Sequence, residues 1–194
     1  MLGFGEDGEV TYYLLPRNYY LLNMSAYLSN TFIILSSVTI CSMLLLFNFP
    51  GMEILGISPN WILILVIVWS VKRPIWQAAI AGISLGLIYD GITVSTPSHI
   101  LSLVTVGIIT ASLNKQKYIG EDLISVALIA FFMAIVAETI VAFQYIWEQT
   151  LTVSQIWQDY QRVMIISALI NSLWTPAIYF PFNKYWKKSK THNN

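Results

Sequence analysis

The chain has 194 residues, of which 56% are hydrophobic and only 10% are charged, and its formal net charge is zero. A soluble domain usually carries about 25% charged residues, so this chain has too few of them to cover a water-soluble globule of its size. The mean hydropathy of +0.64 indicates the same. The composition therefore predicts an integral membrane protein, and we expect no nucleic-acid partner. The single cysteine, Cys41, excludes a disulfide framework within one chain.

The N-terminal segment, residues 1–30, differs from the rest of the chain because it is acidic at its start and then rich in tyrosine. Tyrosine prefers the headgroup layer of a membrane, so we expect a short tail followed by an interfacial segment. No basic stretch precedes an apolar core here, which argues against a cleaved signal peptide. We expect one transmembrane domain over residues 31–183 and a basic cytoplasmic tail over residues 184–194.

Six apolar runs predict an all-α, polytopic membrane protein with six transmembrane helices. The runs cover residues 31–47, 60–71, 75–94, 98–113, 123–147 and 160–182. The second run is short, since roughly 20 residues are needed to cross the hydrocarbon layer. It is apolar on every side, and Trp61 and Trp69 near its ends resemble interfacial anchors. Residues 148–159 are expected to form a polar loop, and Pro176 and Pro181 to break the last run.

The basic residues orient the chain. Six crossings would place nine of the ten lysines and arginines on one side, with Arg162 as the exception. The nine are Arg17, Lys72, Arg73, Lys115, Lys117, Lys184, Lys187, Lys188 and Lys190. This is the positive-inside pattern, which predicts that both termini are cytoplasmic. The cluster from Lys184 to Lys190 is expected to meet anionic lipid.

The third run is the organising element of the sequence. It follows a predicted cytoplasmic turn, Lys72-Arg73-Pro74, and proline is well suited to a first helical turn. Gly82, Gly86 and Asp90 follow at a spacing of four, which places them on one stripe of a helix. Small residues on a stripe let membrane helices approach closely. We therefore expect this stripe to pack on another helix, either within the chain or from a partner.

Two carboxylates in apolar surroundings are candidate functional residues. Asp90 could bind a cation, pair with a partner's base or relay protons. It could equally be a helix-end carboxylate that accepts hydrogen bonds from neighbouring hydroxyl groups. Glu138 lies well inside the fifth run, where it could be functional, protonated, or paired with Arg162 on the sixth.

The last run contains Asn171 and Pro176, which suit an interhelical hydrogen bond and a helix kink. His99 is expected to be a surface or loop histidine. The sequence contains none of the HExxH, GxSxG, P-loop or GxGxxG motifs. We therefore predict no catalytic, cofactor-binding or metal-ligating residues, and a membrane enzyme would need one essential carboxylate, Asp90 or Glu138.

The chain resembles the MreD family of rod shape-determining membrane proteins. Three features carry the resemblance: the short span ending at Trp69 before Lys72-Arg73-Pro74, the helix containing Gly82, Gly86, Leu87 and Asp90, and the final helix with Asn171 and Pro176 before a basic tail. The resemblance implies a non-enzymatic inner-membrane scaffold of the cell-elongation complex without a cofactor. Its implied partners are MreC, the MreB filament, a RodA-type glycosyltransferase and a penicillin-binding transpeptidase.

A second interpretation comes from the same helical pattern. The family is similar to the six-helix substrate-binding subunits, or S components, of energy-coupling factor vitamin transporters. That similarity implies a ligand held near the outer face of the bundle. The sequence pattern alone does not separate a scaffold from a transporter subunit.

Overall fold

The computed structural model describes residues 32, 35–46, 51–94, 97–115, 123–148 and 153–191. The predictions for residues 1–30 lie outside them. The chain divides into two compact units, residues 1–37 and 38–194. In the first unit, the described residues 32 and 35–37 are helical. The second contains the helical bundle. The helices are α1 (Leu35–Leu46), which begins at the end of the first unit, α2 (Trp61–Ser70), α3 (Ile75–Thr93), α4 (Ile100–Lys115), α5 (Leu123–Trp147) and α6 (Val153–Thr191).

Helix α2 is the core of the bundle. Nine of its ten residues are buried, and it contacts α3, α4, α5 and α6. This explains why the segment is apolar on every side. It also corrects the prediction of an interfacial anchor at Trp61, which is 5% exposed and meets the Trp174 ring edge-on at a centroid distance of 5.4 Å.

Two hydrogen bonds join α2 to α6, one at each end of α2. The backbone N–H of Asn60 donates to Oδ1 of Asn171 at 2.8 Å, and Nζ of Lys72 donates to Oδ1 of Asn183 at 2.6 Å. Both pairs are 111 residues apart in the chain, so the two helices run parallel and in register. We name the two ends of the bundle the Asn60 end and the Lys72 end after these residues.

Helices α3 and α4 lie in close backbone contact, and glycines on both helices allow it. A Cβ added at Gly82 would lie 2.6 Å from Cα of Val104, and one at Gly86 would lie 2.7 Å from Cα of Ile100. From the other side, a Cβ at Gly107 would lie 2.8 Å from the carbonyl oxygen of Ala78. The predicted glycine stripe therefore packs against α4 of the same chain.

Polar and apolar residues are distributed as in a membrane protein. Hydroxyl and amide side chains are buried: Ser70, Ser102, Thr110, Ser167, Asn171 and Thr175. Large apolar side chains are exposed along the long helices, for example Trp76, Ile124, Phe143 and Leu173 at 63%, 83%, 63% and 68%. Water would disfavour this arrangement, whereas acyl chains suit it.

Three helical segments among the described residues are long and apolar enough to cross a membrane: Ile75–Thr93, Leu123–Trp147 and Tyr160–Lys184. The described parts of α1, α2 and α4 are shorter. Helix α2, with ten residues, is only about 15 Å long, which is half of a hydrocarbon layer about 30 Å thick. The predicted all-helical membrane fold is confirmed, and the count of six crossings stays a prediction.

The last helix differs most from the sequence prediction. The fifth run matches α5 residue for residue, but α6 begins at Val153, inside the predicted polar loop, and continues to Thr191 through Pro176 and Pro181. Proline at 176 removes the N–H that would bond the carbonyl one turn earlier. Nearby, the Thr175 hydroxyl donates to the carbonyl of Asn171 at 2.6 Å. Neighbouring hydroxyl groups of this kind let membrane helices continue past a proline.

Candidate functional site

A directed chain of hydrogen bonds crosses the interior near the Asn60 end. The backbone N–H of Asn60 donates to Oδ1 of Asn171, and Nδ2 of Asn171 donates to Oγ of Ser167 at 3.1 Å. The Ser167 hydroxyl then donates to Oε1 of Glu138 at 2.9 Å. Each donor points toward the next acceptor, so Glu138 is the terminal acceptor of a chain that joins α2, α6 and α5.

The start of this chain is a helix cap. The side chain of Asn60 accepts from the backbone N–H of Leu63 at 3.0 Å, which is the usual N-cap bond. Its own backbone N–H is then free to reach Asn171. One asparagine thus begins the central helix and ties it to α6, and Asn171 is fully buried at 0% exposure.

The prediction that Glu138 pairs with Arg162 is wrong. Arg162 is exposed, and Ser167 supplies the hydrogen bond to Glu138. The Tyr160 hydroxyl also lies close to the carboxylate without completing a hydrogen bond of good geometry. Topology placed Arg162 on the correct neighbouring helix, but its side chain is exposed.

A cavity of about 180 Å³ adjoins Glu138. Its polar and aromatic lining comes from four parts of the chain: Glu53, Ser58, Asn60, Trp61, Tyr89, Glu138 and Ser167. Apolar side chains such as Leu44, Leu45 and Met52 complete the wall. The cavity therefore combines an apolar wall, two aromatic rings and two carboxylates at the Asn60 end of the bundle.

One wall of this cavity belongs to a tight turn between α1 and α2. Ile54 and Ile57 exchange backbone hydrogen bonds at 3.1 and 3.0 Å, and the two residues between them, Leu55 and Gly56, have φ values of 53° and 80°. Two consecutive positive φ values are the mark of a type I′ turn. Leu55 is unusual at such a position, which favours glycine, asparagine or aspartate.

Asp90 closes the α3–α4 turn. Its carboxylate accepts from the Ser98 hydroxyl at 2.6 Å and from the backbone N–H of His99 at 2.8 Å. Nδ1 of His99 lies 3.1 Å from Oδ1, and burial, the largest influence, lowers the pKa of His99 below its ordinary value, with Asp90 opposing it. The geometry therefore gives Asp90 the bonds of a helix-end carboxylate. His99 lies in a turn but is partly buried against the ring of Tyr89.

The predicted cytoplasmic turn lies at the Lys72 end. Lys72 bonds Asn183, and the guanidinium of Arg73 lies 5.2 Å from the centre of the Trp69 ring. Pro74 is the N-cap of α3, with extended ψ, rather than its first helical residue. This turn and Asn183, the residue before Lys184, thus meet at one end of the bundle.

The structure separates the predicted site residues into three groups. Gly82, Gly86 and Asp90 belong to the α3–α4 interface, and Asn171 joins Glu138 through Ser167. The turn of Lys72, Arg73 and Pro74 lies at the other end of the bundle. Sequence reasoning missed Ser167, although it lies four residues before Asn171 and eight before Thr175. That spacing marks a polar stripe on α6 by the same rule that identified the glycine stripe on α3. Within the described residues no three His, Cys, Asp or Glu side chains are grouped as metal ligands would be.

The fold and its interior together define a helical membrane protein with a polar network buried at one end. A family model described as rod shape-determining protein MreD matches residues 25–189. Because the match covers most of the sequence, the chain belongs to the MreD family. No curated protein and no solved structure matches it.

Proposed function

We propose that this protein is a non-enzymatic scaffold of the cell-elongation machinery in the bacterial inner membrane. In this role it binds MreC and links the MreB filament to peptidoglycan synthesis by a RodA-type glycosyltransferase and a penicillin-binding transpeptidase. The observation that carries the proposal is the family match over residues 25–189. The role requires a rigid membrane body, and the architecture of the described bundle is suited to it.

Two features support a rigid body. The central helix α2 is hydrogen-bonded to α6 at both ends. Helix α3 packs on α4 in backbone contact at Gly82, Gly86 and Gly107. Replacing Gly82 with leucine would disrupt the packing of α3 on α4 within the chain, whether or not a partner binds nearby. The glycine stripe is therefore a poor place to test partner binding, and exposed faces of α3, α5 and α6 are better ones.

We further propose a multi-pass arrangement with both termini in the cytoplasm. The geometry brings Lys72 and Arg73 to the same end as the last turns of α6, where the basic cluster follows. Basic residues gather on the cytoplasmic side of membrane proteins. The Lys72 end would then be cytoplasmic, in contact with anionic lipid and MreB, and the Asn60 end would face the periplasm and the periplasmic domain of MreC.

The scaffold role is tested by depleting the protein from its rod-shaped host and measuring cell shape. Depletion should give round cells, and re-expression should restore rods. The Gly91→Ala variant is a suitable positive control, since a Cβ there meets nothing within 4 Å. Cells that keep their width and length after complete depletion would contradict the proposal.

The vitamin-transport alternative rests on the cavity beside Glu138. Its volume of about 180 Å³ is below the roughly 300–1,000 Å³ of sites for drug-sized ligands. Calorimetry of the purified protein against a vitamin panel separates the two roles. Saturable binding of any vitamin would favour transport, whereas the scaffold role predicts none.

A further inference from the structure

We propose that the cavity beside Glu138 is a binding site for a primary ammonium group carried on a short aliphatic chain. The inference is independent of the scaffold role, because it rests on the cavity and its hydrogen-bonding pattern alone. Three observations carry it: the direction of the hydrogen bonds, the charges of the lining and its apolar and aromatic surfaces.

The hydrogen bonds make Glu138 an acceptor. Asn171 donates to Oγ of Ser167, so the one hydroxyl proton of Ser167 is directed to Oε1 of Glu138. A carboxylate offers about four acceptor positions. Ser167 occupies one of them, and the Tyr160 hydroxyl lies close to the same carboxylate. The remaining positions suit a ligand that donates, and an ammonium group donates three hydrogen bonds and accepts none.

The charges of the lining select a cation over a neutral donor. Glu138 and Glu53 are both among the described lining residues, which include no lysine, arginine or histidine. Glu53 is exposed and is oriented by the Ser58 hydroxyl, which donates to its Oε1 at 3.1 Å. One carboxylate therefore lies in the bundle interior and the other on its exposed rim.

The remaining wall suits the rest of such a ligand. Tyr89 and Trp61 are among the lining residues, and aromatic rings attract cations. Leu44, Leu45 and Met52 offer apolar contact to a short chain. The volume of about 180 Å³ limits the ligand to a few carbon atoms. Two sources share this chemistry: a free amine and the ethanolamine headgroup of a lipid.

The test uses the full-length protein in nanodiscs of phosphatidylglycerol, with n-butylammonium as the probe and n-butanol as its neutral counterpart. Isothermal titration calorimetry should give saturable binding of butylammonium and none of butanol. Glu138→Gln should weaken binding by about tenfold or more, since a hydrogen bond to a charged group is lost. Glu148→Gln is the matched control, because Glu148 is an exposed carboxylate just after α5, and its affinity should equal that of the wild type.

A second variant keeps the test decisive if Glu138→Gln fails to fold. Tyr89→Leu retains an apolar side chain but removes the aromatic face, and should weaken butylammonium binding severalfold. Repeating the titration with phosphatidylethanolamine in the nanodiscs identifies the source of the natural ligand. If the lipid lowers the Glu138-dependent affinity for butylammonium, the site binds the lipid headgroup. If the lipid leaves that affinity unchanged, the site binds a free amine. No saturable binding by the wild type, equal binding of butanol, or wild-type affinity in folded Glu138→Gln would overturn the proposal. If Glu138→Gln does not fold, wild-type affinity in Tyr89→Leu would overturn it.

Discussion

Lys72 and Asn183 lie 111 residues apart, yet Nζ of the lysine donates to Oδ1 of the asparagine at 2.6 Å. The Lys72 ammonium also lies 6.0 Å from the centre of the ring of Tyr179, a fully buried side chain. This contact fixes the α2–α3 turn against the end of α6. It places two basic segments, distant in sequence, at one end of the bundle.

Breaking this contact should loosen the Lys72 end. Lys72→Met and Asn183→Ala should each lower the free energy of unfolding by about 1 kcal/mol, the typical net value of a hydrogen bond. The double variant should lose less free energy of unfolding than the sum of the two single losses, because both substitutions remove the same hydrogen bond. Cys41 is buried at 4% exposure and is the only cysteine, so unfolding can be followed with a thiol-reactive dye. Lys184→Met, an exposed neighbour, is the control, and fully additive losses would contradict the contact.

The glycine contacts predict a contrast within one helix. At Gly82 an added Cβ would lie 2.6 Å from Cα of Val104, whereas at Gly91 it would meet nothing within 4 Å. Gly82→Ala should therefore cost about 1–3 kcal/mol by overpacking. Gly91→Ala should be neutral or stabilise α3 by up to about 1 kcal/mol through helix propensity. The dye assay with Cys41 measures both, and equal stabilities of the two variants would show that α3 and α4 are not in backbone contact.

The α3–α4 turn predicts a pH dependence. Burial lowers the pKa of His99 from 6.5, despite the opposing effect of Asp90, so the unfolded chain binds a proton at a higher pH than the folded one. The contribution of His99 to stability is full above about pH 6.5 and declines as the pH falls below it. Melting curves should show that the melting temperature falls less between pH 7.5 and pH 5.5 for His99→Gln than for the wild type. The same loss in both proteins would mean that His99 does not titrate differently on folding.

The sidedness of the bundle predicts a labelling pattern. In a Cys41→Ala background, the cysteine of Lys184→Cys should react with a membrane-impermeant maleimide only after the inner membrane is permeabilised. A cysteine at Glu53, on the α1–α2 turn at the opposite end, should react in intact cells whose outer barrier is permeable to the reagent. Labelling of both positions from the same side would refute the proposed orientation.

Much of this fold follows from the sequence because membrane helices are long apolar runs. The bounds of α5 and the start of α3 match those runs, and the close contact at Gly82 and Gly86 follows from their spacing. The residue pattern does not reveal which neighbour covers a stripe. That α4 covers it becomes evident only in three dimensions, where Gly107 lies opposite Ala78.

Other features depend on tertiary context that sequence patterns do not carry. The first turns of α6 are polar, so their sequence predicts a loop. Pro176 predicts a break in the helix, although α6 continues through it. The type I′ turn at Leu55 lacks the usual residue at its first position. The hydrogen-bond chain to Glu138 begins at a backbone N–H, a group that every residue except proline has.

The scaffold role proposed for this membrane protein requires that it hold MreC. The most direct measurement is to purify the tagged protein from its host in mild detergent and quantify the MreC that remains bound. MreC should be present in a fixed molar ratio to the wild type and to Gly91→Ala, and it should be lost only when exposed faces of the bundle are changed. Purification of the folded protein without MreC, at expression levels that sustain rod shape, would contradict it.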